Sequence, residues 1–411
     1  MILLSFVVYR NNYYSYSLVS GHNIHSFENY YLNDMKIRIF IFLASVLISI
    51  RLNAQDSIKF VLAQTIDNIG ANDIVLADFN NDSNIDAFIV NGVWNKPLPS
   101  KLWINNGTGH FTDSKQDIGN AKSWSVVFGH LSGDGYLDIF IANGDWEKGD
   151  SSHLWINNGH GKFACSSSKF GKANSSSAAI GDLNGDGKPD IFVANHPYSN
   201  GQGGEDEVWF NNGKGNFINS GQKLGGSDAA RRIKLADING DGNLDATVLN
   251  GDTNRIWLNN GKGQFLLSKQ NIGVGENIDL AIGDLDNDGD LDMIIAKGAW
   301  GKTPKGIEVW TNDGKGKFSK TQNIGDFNCY GLASVDFTHD GYLDLVLVNG
   351  TDQPNQIFLN DKNGHFYDSK IKIGNGGNKV AVVDLNHDNL VDVIIVGNET
   401  TGVYLQTNKK K

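Results

Sequence analysis

The sequence predicts an all-β fold, a seven-bladed β-propeller with four antiparallel strands in each blade. An acidic nine-residue motif occurs seven times, beginning at residues 78, 130, 182, 237, 284, 336 and 384, at intervals of 47 to 55 residues. A second motif, typified by LWINNGTGHF at residues 102–111, follows six of these copies. Glycine accounts for 49 of the 411 residues, as a fold with many tight turns requires. Repeated four-stranded units of this length are typical of propeller blades.

Each repeat divides into four predicted strands. An apolar stretch such as residues 74–77 precedes the acidic motif and four apolar residues such as 191–194 follow it, so two strands flank a hairpin turn. A third strand ends in the Asn-Gly and Gly-x-Gly steps of the second motif, which supply the positive φ angles of a turn. The fourth strand is predicted to begin at the Phe of that motif and to end in an apolar residue followed by glycine, as at residues 118–119 and 272–273.

The two ends of the repeat region predict how the ring closes. The seventh repeat stops after its third strand, at residues 403–408, whereas residues 59–70 form a fourth strand without a blade. We therefore expect the N-terminal strand to complete the last blade, which leaves no exposed strand edge at the junction. The alternative, an open solenoid, would need capping repeats at both ends, and the sequence contains none.

The first 54 residues have the features of an export signal. Two basic residues precede a 12-residue apolar run at 39–50, and a small-residue cleavage site follows it. A transmembrane helix would need about 20 apolar residues. We therefore predict a signal peptide at 35–54 translated from Met35, a non-translated or disordered upstream segment at 1–34, and a propeller at 55–411. The propeller is expected to be secreted, periplasmic or on the cell surface, with no membrane span after cleavage.

The acidic motif is suited to calcium. Its pattern, Asp-x-Asn/Asp-x-Asp-Gly-x-x-Asp, places side-chain oxygens at positions one, three, five and nine of a turn, and Ca²⁺ prefers such hard oxygen ligands. The alternative is that Asp, Asn and Gly only form good turns, but clustered carboxylates repel one another unless a cation lies between them. An EF-hand is excluded because position twelve lacks its glutamate. The predicted ligands, in blade order, are Asp78, Asn80, Asp82 and Asp86; Asp134 and Asp138; Asp182, Asn184, Asp186 and Asp190; Asp237, Asn239, Asp241 and Asp245; Asp284, Asp286, Asp288 and Asp292; Asp336, Thr338, Asp340 and Asp344; and Asp384, Asn386, Asp388 and Asp392.

Three of the seven loops depart from this pattern. The blade-2 loop has His130 and Ser132 at positions one and three, so we expect it to bind calcium most weakly. Ser83 in blade 1 and Asn389 in blade 7 occupy the position at which the turn favours glycine. Position seven is expected to contribute its backbone carbonyl in every loop.

The net charge agrees with internal cation sites. The chain has a formal charge of −11, and −13 without residues 1–54, which contain four basic and two acidic side chains. Up to seven Ca²⁺ ions would nearly neutralise it. Extracellular calcium modules have dissociation constants of about 10⁻⁴ to 10⁻³ M, so we expect structural ions that bind outside the cell.

Together these elements resemble the FG-GAP or VCBS-type repeat, the calcium-binding blade of bacterial secreted proteins and of integrin α-chain propellers. The resemblance rests on the Asp-rich hairpin, the strand after it and the xWxNNGxGxF segment, and it covers residues 56–408. The Phe-Gly and Gly-Ala-Pro elements that name the integrin repeat are missing from the sequence. The resemblance therefore implies the fold and the calcium loops but no integrin partner. The family includes lectins, adhesins and domains attached to enzymes, and the fold alone does not choose among them.

Aromatic residues mark the loops expected on the face opposite the calcium hairpins. Four of them stand three residues after the Asn or Lys that ends a second strand, and two stand six residues before an acidic motif. Aromatic rings near Asn and Asp side chains suit sugar rings, although local loop packing is the alternative. The candidate ligand-binding residues are Trp94, Trp124, Trp146, Tyr198, Trp300 and Tyr330. In contrast, five tryptophans at a repeated third-strand position are predicted to be core: Trp103, Trp155, Trp209, Trp257 and Trp310.

These observations predict a secreted, calcium-loaded monomer that binds a ligand, with a glycan favoured, opposite its metal sites. The main alternative is a protein-binding adhesin or envelope scaffold, which would use one asymmetric patch, whereas matched aromatics favour equivalent sugar pockets. A glycan-active enzyme is disfavoured because Glu205, Asp206, Glu207 and Asp252 belong to ordinary acidic loops and no catalytic motif occurs. The balance of 46 acidic against 35 basic side chains argues against nucleic acid as a partner.

Overall fold

The computed structural model consists of β-strands joined by turns throughout the part of the chain that it describes. The segments predicted as upstream sequence and signal peptide lie outside that part. Within it, no helix is long and apolar enough to span a bilayer. The described residues are 58–93, 96–226, 229–251, 253–298, 306–350 and 353–408.

The strands form seven antiparallel sheets, which are the blades of the predicted propeller. Blades 1 and 3 have a short additional strand that pairs with the third strand. Blade 1 contains β2 (Ala71–Ala77), β3 (Asp86–Val93), β4 (Lys96–Asn105), β5 (Phe111–Asp113) and β6 (Ile118–Ala121); blade 2 contains β7 (Ser123–Gly129), β8 (Asp138–Asn143), β9 (His153–Asn157) and β10 (Phe163–Cys165); blade 3 contains β11 (Ser175–Gly181), β12 (Asp190–Asn195), β13 (Glu205–Asn211), β14 (Phe217–Asn219) and β15 (Leu224–Gly225).

The remaining blades follow the same order, and the last one combines both ends of the described chain. Blade 4 contains β16 (Ala230–Ala236), β17 (Asp245–Asn250), β18 (Arg255–Asn259) and β19 (Phe265–Leu267); blade 5 contains β20 (Asn277–Gly283), β21 (Asp292–Lys297), β22 (Ile307–Asn312) and β23 (Phe318–Ile324); blade 6 contains β24 (Cys329–Val335), β25 (Asp344–Asn349), β26 (Pro354–Asn360) and β27 (Phe366–Asn375); blade 7 contains β28 (Lys379–Val383), β29 (Asp392–Val396), β30 (Thr400–Asn408) and β1 (Ile58–Asp67).

The ring closes as the sequence predicts. The strand β1 pairs antiparallel with β30, from Ile58 opposite Asn408 to Asp67 opposite Thr400, and so becomes the outer strand of blade 7. The first strand of each blade contacts the first strand of the next blade, and β28 of blade 7 contacts β2 of blade 1. These seven inner strands therefore surround a central channel, and no blade is left with an open edge at the junction.

The core consists of apolar layers between neighbouring blades. The second strand of each blade is buried, in blades 2 to 5 along its whole length, because the two faces of its sheet pack against different neighbouring blades. In one layer, for example, Phe88 of blade 1 packs with Ile139 of blade 2. The third-strand tryptophans belong to these layers as predicted: Trp209 and Trp257 are buried, and Trp103, Trp155 and Trp310 are partly buried against the clusters.

The fourth strands are shorter in several blades than the sequence predicts. They begin at the expected Phe, but β5 ends at Asp113 and β19 ends at Leu267, so residues 118–119 and 272–273 do not lie in the same strands. In blade 1 the cause is a turn: the Asp113 carboxylate accepts the Lys115 N–H, and Lys115 has a φ of 60°. Residues 118–119 instead start the separate strand β6.

Glutamine side chains join the outer parts of neighbouring blades. In blade 5, Gln322 Nε2 donates to Phe366 O at 2.8 Å, and Gln322 Oε1 accepts the Phe366 N–H at 2.9 Å. Gln64 makes the same pair of bonds with Phe111. At three other junctions the glutamine also accepts the N–H of the Phe, but its Nε2 donates to the carbonyl of the glycine two residues earlier; these are Gln116, Gln222 and Gln270. Each clamp fixes the first residue of the next fourth strand, so these short strands depend on the neighbouring blade.

Candidate functional site

The acidic motifs form seven turns at one end of the propeller, each joining an inner strand to the second strand of its blade. In blade 5, Asp284 accepts the backbone N–H of Asp288 at 3.2 Å and that of Gly289 at 3.1 Å. Asp288 in turn accepts the Asp290 N–H at 2.9 Å. The carboxylates thus point inward over the turn, as they also do in a turn without metal. Their remaining lone pairs face one another.

Position nine of each motif is a buried aspartate that links the turn to the third strand. Asp292 accepts the Leu285 N–H at 3.1 Å through one oxygen and the Asn312 N–H at 2.8 Å through the other. The pKa of Asp292 is raised to about 6, mainly by burial and to a smaller extent by the carboxylates of Asp286 and Asp288. Asp86 and Asp344 reach a pKa of about 7 for the same reasons, with burial the larger cause.

The donor set of these turns fits a hard divalent cation. In blade 5 one oxygen from each of Asp284, Asp286 and Asp292 lies within 4.8 Å of the other two. This is the one such carboxylate group among the described residues, because position three is Asp only here in the loops that keep position one. In blades 1, 3, 4 and 7 the amide oxygen of an Asn takes that place. Oxygen donors at this spacing and the raised pKa values indicate a place where a cation would relieve repulsion.

The turns are also tied to one another around the ring. Asn312 Nδ2 in blade 5 donates to Ile238 O in the blade-4 turn at 2.7 Å. Asn105 in blade 1 makes the same bond to Leu385 O in the blade-7 turn at 2.9 Å, which closes the circle. The other blades contribute Asn157, Asn211, Asn259, Asn360 and Gln406 at this position. Every acidic turn is therefore held by the following blade as well as by its own.

The departures noted in the sequence affect the turns in different ways. Ser83 and Asn389 adopt φ angles of 70° and 63°, so they occupy the left-handed region that glycine takes in the other loops. Position one still caps the turn there, since Asp78 accepts the Ser83 N–H and Asp384 accepts the Asn389 N–H, both at 2.8 Å. These two turns therefore keep the backbone of the complete motif.

On the opposite face, six inner strands have a β-bulge near their start. The register of each strand shifts by one residue there, and a bulge of this kind turns a side chain out of the regular alternation. The inner strand of blade 7 has no such shift. The bulged residues are Asn72, Trp124, Ser176, Arg231, Ile278 and Tyr330.

Five of these six residues line a single cavity of about 680 Å³ at the mouth of the central channel, and Tyr330 is the exception. Trp124 lies on the cavity wall, and its indole N–H donates to Gly144 O at 3.2 Å. Trp146 lines the same cavity, with its ring centroid 4.0 Å from that of His196. Burial lowers the pKa of His196, with the nearby Arg231 adding to the effect, so the imidazole is neutral near pH 7.

The structure brings together only some of the predicted aromatic residues. Trp124 and Trp146 share the large cavity, whereas Tyr198 lines a separate one of about 270 Å³ and Tyr330 a third. All four are partly buried rather than fully exposed. Trp94 and Trp300 lie outside the described residues.

Several residues that line the cavity are not among those predicted from the sequence, although their position in the repeat would have indicated them. Asn72, Ser176, Arg231 and Ile278 stand six residues before an acidic motif, as Trp124 and Tyr330 do, but they are not aromatic. His196 follows the Asn that ends a second strand, where the other blades have glycine. The relevant feature is therefore the position in the repeat rather than the residue type.

Three of the carboxylates considered for catalysis, Glu205, Asp206 and Glu207, lie in strand β13 and not in a loop as the sequence predicts, and the side chains of the last two serve the fold. Asp206 is buried and accepts the Asn195 N–H at 2.9 Å. Glu207 accepts the Trp209 indole N–H at 3.2 Å, and burial raises its pKa. Asp252 lies outside the described residues.

Comparison with known structures supports the propeller. A structure of BBS1N in complex with ARL6DN matches with a TM-score of 0.56 at 9% identity, covering 86% of this chain and 97% of that one, which shows the fold alone. A lectin from Agrocybe aegerita, described as recognising non-reducing terminal N-acetylglucosamine, matches at 20% identity over 75% of this chain and 81% of its own, with a TM-score of 0.49. That score supports no statement about function.

The family comparison is more specific. No curated protein matches this sequence. The family model described as FG-GAP-like repeat matches six overlapping segments, at residues 66–141, 130–193, 182–248, 237–295, 284–347 and 336–395. Together these segments contain all seven acidic turns and end within the second strand of blade 7. This chain therefore belongs to the FG-GAP-like repeat family.

Proposed function

We propose that this protein is a calcium-binding propeller that binds a carbohydrate in the cavity opposite its acidic turns. The observation that carries the proposal is the convergence of Trp124 and Trp146 on one concave cavity of about 680 Å³. Cavities of about 300–1,000 Å³ suit ligands of small-molecule size rather than a protein surface. Indole rings offer flat apolar faces to the C–H groups of a sugar, and Asn72, Asn174 and Ser176 offer polar atoms nearby.

The calcium part of the proposal rests on the acidic turns. Six turns keep acidic residues at positions one, five and nine, and the buried position-nine carboxylates have raised pKa values that a cation would lower. Millimolar calcium outside the cell would fill such sites. Secretion, from the signal peptide at 35–54, belongs to the same proposal. N-terminal sequencing of the exported protein checks it, and a mature chain that retains residues 1–34 would contradict it.

A protein-binding adhesin or scaffold is the second candidate, and one observation favours it. Trp146 and Tyr198 occupy matched positions in the repeat but line different cavities, of about 680 and 270 Å³. The described aromatics therefore do not form the equivalent pockets that a repeated sugar site would use. A single asymmetric cavity is compatible with a protein partner that inserts one side chain.

A glycan array with the full chain in millimolar calcium separates the two candidates. We expect binding to at least one saccharide, and a loss of about tenfold or more in affinity for Trp124→Ala and for Trp146→Ala. Tyr198→Ala is the matched control, because it removes an aromatic ring at the corresponding position of the next blade but outside the cavity. If no saccharide binds the folded, calcium-loaded protein, the carbohydrate proposal fails and the protein-binding candidate takes its place.

A further inference from the structure

We infer that the saccharide bound in this cavity is acidic, with a carboxylate or sulfate group held by arginine; this inference rests on the proposed function. Arg231 and Arg232 both line the cavity, and no Asp or Glu is among the described residues that line it. The whole chain, in contrast, has a net charge of −11. The cavity is therefore a local reversal of the protein's overall charge.

The inner strands beneath the cavity add to this positive potential. Together, the seven inner strands contain four basic residues and two acidic ones. The basic residues are Arg231, Arg232, Lys234 and Lys379, and the acidic ones are Asp73 and Asp279. Basic groups thus outnumber acidic groups in the wall of the channel.

One of the two carboxylates is already shared between cations. Asp279 is buried, with Lys379 Nζ 2.6 Å and Arg232 Nε 3.7 Å from its Oδ1 atom. Its other oxygen accepts the Leu332 N–H at 3.2 Å. Lys234 also acts on Asp279, and Asp73 acts on Lys379. Two carboxylates thus face three cations in the channel wall, and one of these cations, Arg232, also lines the cavity. A concave site with low-dielectric walls concentrates such a field.

The shape of the site matches an acidic sugar better than a neutral one. A guanidinium group is a planar fork of N–H donors that fits the paired oxygens of a carboxylate or sulfate. The bulge at Arg231 places this group in the same cavity wall as Trp124, on which the sugar ring would stack. A neutral ligand lacks the paired anionic oxygens that accept charge-assisted hydrogen bonds from a guanidinium group.

The test uses matched pairs of short oligosaccharides and the full chain in millimolar calcium. A galacturonate trisaccharide is compared with its carboxyl-reduced form, and a sulfated glycosaminoglycan tetrasaccharide with its desulfated form, by titration calorimetry. We expect one acidic member to bind at least about tenfold more tightly than its neutral counterpart. The pair that shows the difference identifies carboxylate or sulfate as the recognised group.

Substitutions at Arg231 then test the assignment. Arg231→Gln is expected to remove the preference for the acidic member, and Arg231→Lys, which retains the charge, is expected to keep most of it. Lys214→Gln is the matched control, because Lys214 is exposed in a turn on the calcium face. Equal affinity for acidic and neutral members, combined with loss of binding in Trp124→Ala, would overturn the inference and leave the proposed function intact. An equal loss in Lys214→Gln would also overturn it, as general charge attraction. No binding to any of the four oligosaccharides would overturn the inference, whereas the glycan array decides the proposed function separately.

Discussion

Blades 5 and 2 have the same fold but different acidic turns. In blade 5, Asp284 caps the turn by accepting the N–H groups of Asp288 and Gly289. In blade 2, His130 takes the place of that aspartate, and its Nδ1 atom lies 3.1 Å from the carbonyl oxygen of Tyr136. That carbonyl is at position seven, which the motif assigns to the metal. The histidine therefore engages an atom that calcium would use.

Both turns have a buried aspartate at position nine. Asp138 of blade 2 accepts the Asn157 N–H at 2.9 Å, as Asp292 of blade 5 accepts the Asn312 N–H at 2.8 Å. Position nine thus supports the blade with or without a complete motif. The comparison teaches that position nine belongs to the fold and that position five is Asp in both turns, whereas positions one and three differ and would distinguish a turn that binds calcium from a plain one.

Removal of calcium from the whole protein should lower its free energy of unfolding more than any single substitution in blade 5 or blade 2. At 1 mM calcium, a site with a dissociation constant of about 10⁻⁴ M stabilises the fold by about 1.4 kcal/mol, and several such sites add to several kcal/mol. We expect urea unfolding to shift to a clearly lower midpoint in excess EGTA than in 1 mM calcium. Magnesium in place of calcium serves as the ionic-strength control. An unchanged midpoint would mean that blade 5 is a plain turn like blade 2.

A matched pair of substitutions then compares the two blades directly. Asp288→Asn and Asp134→Asn each remove a position-five carboxylate from an exposed turn residue. We expect Asp288→Asn to bind one calcium ion fewer by native mass spectrometry and to lose about 1.4 kcal/mol of unfolding free energy in 1 mM calcium. Asp134→Asn should leave both quantities unchanged. If the two variants lose the same amount, position five has only its turn role in both blades.

The reverse experiment converts blade 2 toward blade 5. His130→Asp combined with Ser132→Asn restores the oxygen donors at positions one and three, beside Asp134 and Asp138. We expect one additional calcium ion and a gain of about 1 kcal/mol in calcium, with no gain in EGTA. His130→Asn with Ser132→Asn is the control, because it supplies turn-forming side chains but no new carboxylate. A gain that persists in EGTA would assign the effect to the turn and not to the metal.

The fold can be predicted from the sequence because short local patterns repeat in every blade. Alternating apolar stretches, Asn-Gly turns and acidic motifs fix the strands, and the displaced first strand at Ile58–Asp67 fixes the closure. The lengths of the fourth strands were not predictable in the same way. They end where side chains such as Asp113 bend the chain, and they begin at a residue that a glutamine of the previous blade holds through a contact across about fifty residues of sequence.

The two candidate sites differ in how far the sequence reveals them. The acidic turns are contiguous in sequence, so the side chains proposed as calcium ligands can be listed from the sequence alone, and the structure adds the hydrogen bond from the Asn312 N–H to Asp292. The cavity includes one bulged residue from each of five blades, and most of those side chains, such as Ser176 and Ile278, are of types that do not by themselves indicate a binding site. A bulge is a property of strand register, which becomes visible only when both strands are paired.

The smallest expected difference between blades 5 and 2 is in the stability that each gains from the side chain contacting the outer strand of the next blade. Gln322 of blade 5 exchanges two hydrogen bonds with the backbone of Phe366, whereas the corresponding Ser168 of blade 2 donates a single bond to Gly215 O. A hydrogen bond contributes about 0.5–1.5 kcal/mol net, so Gln322→Ala should cost about 1 kcal/mol or more and Ser168→Ala about half as much. Urea unfolding in 1 mM calcium measures both, with Gln322→Glu as a shape control that keeps the acceptor and removes the donor. Equal costs for the two alanine variants would show that the second bond adds nothing and that packing, not the glutamine clamp, holds the blades together at their rim.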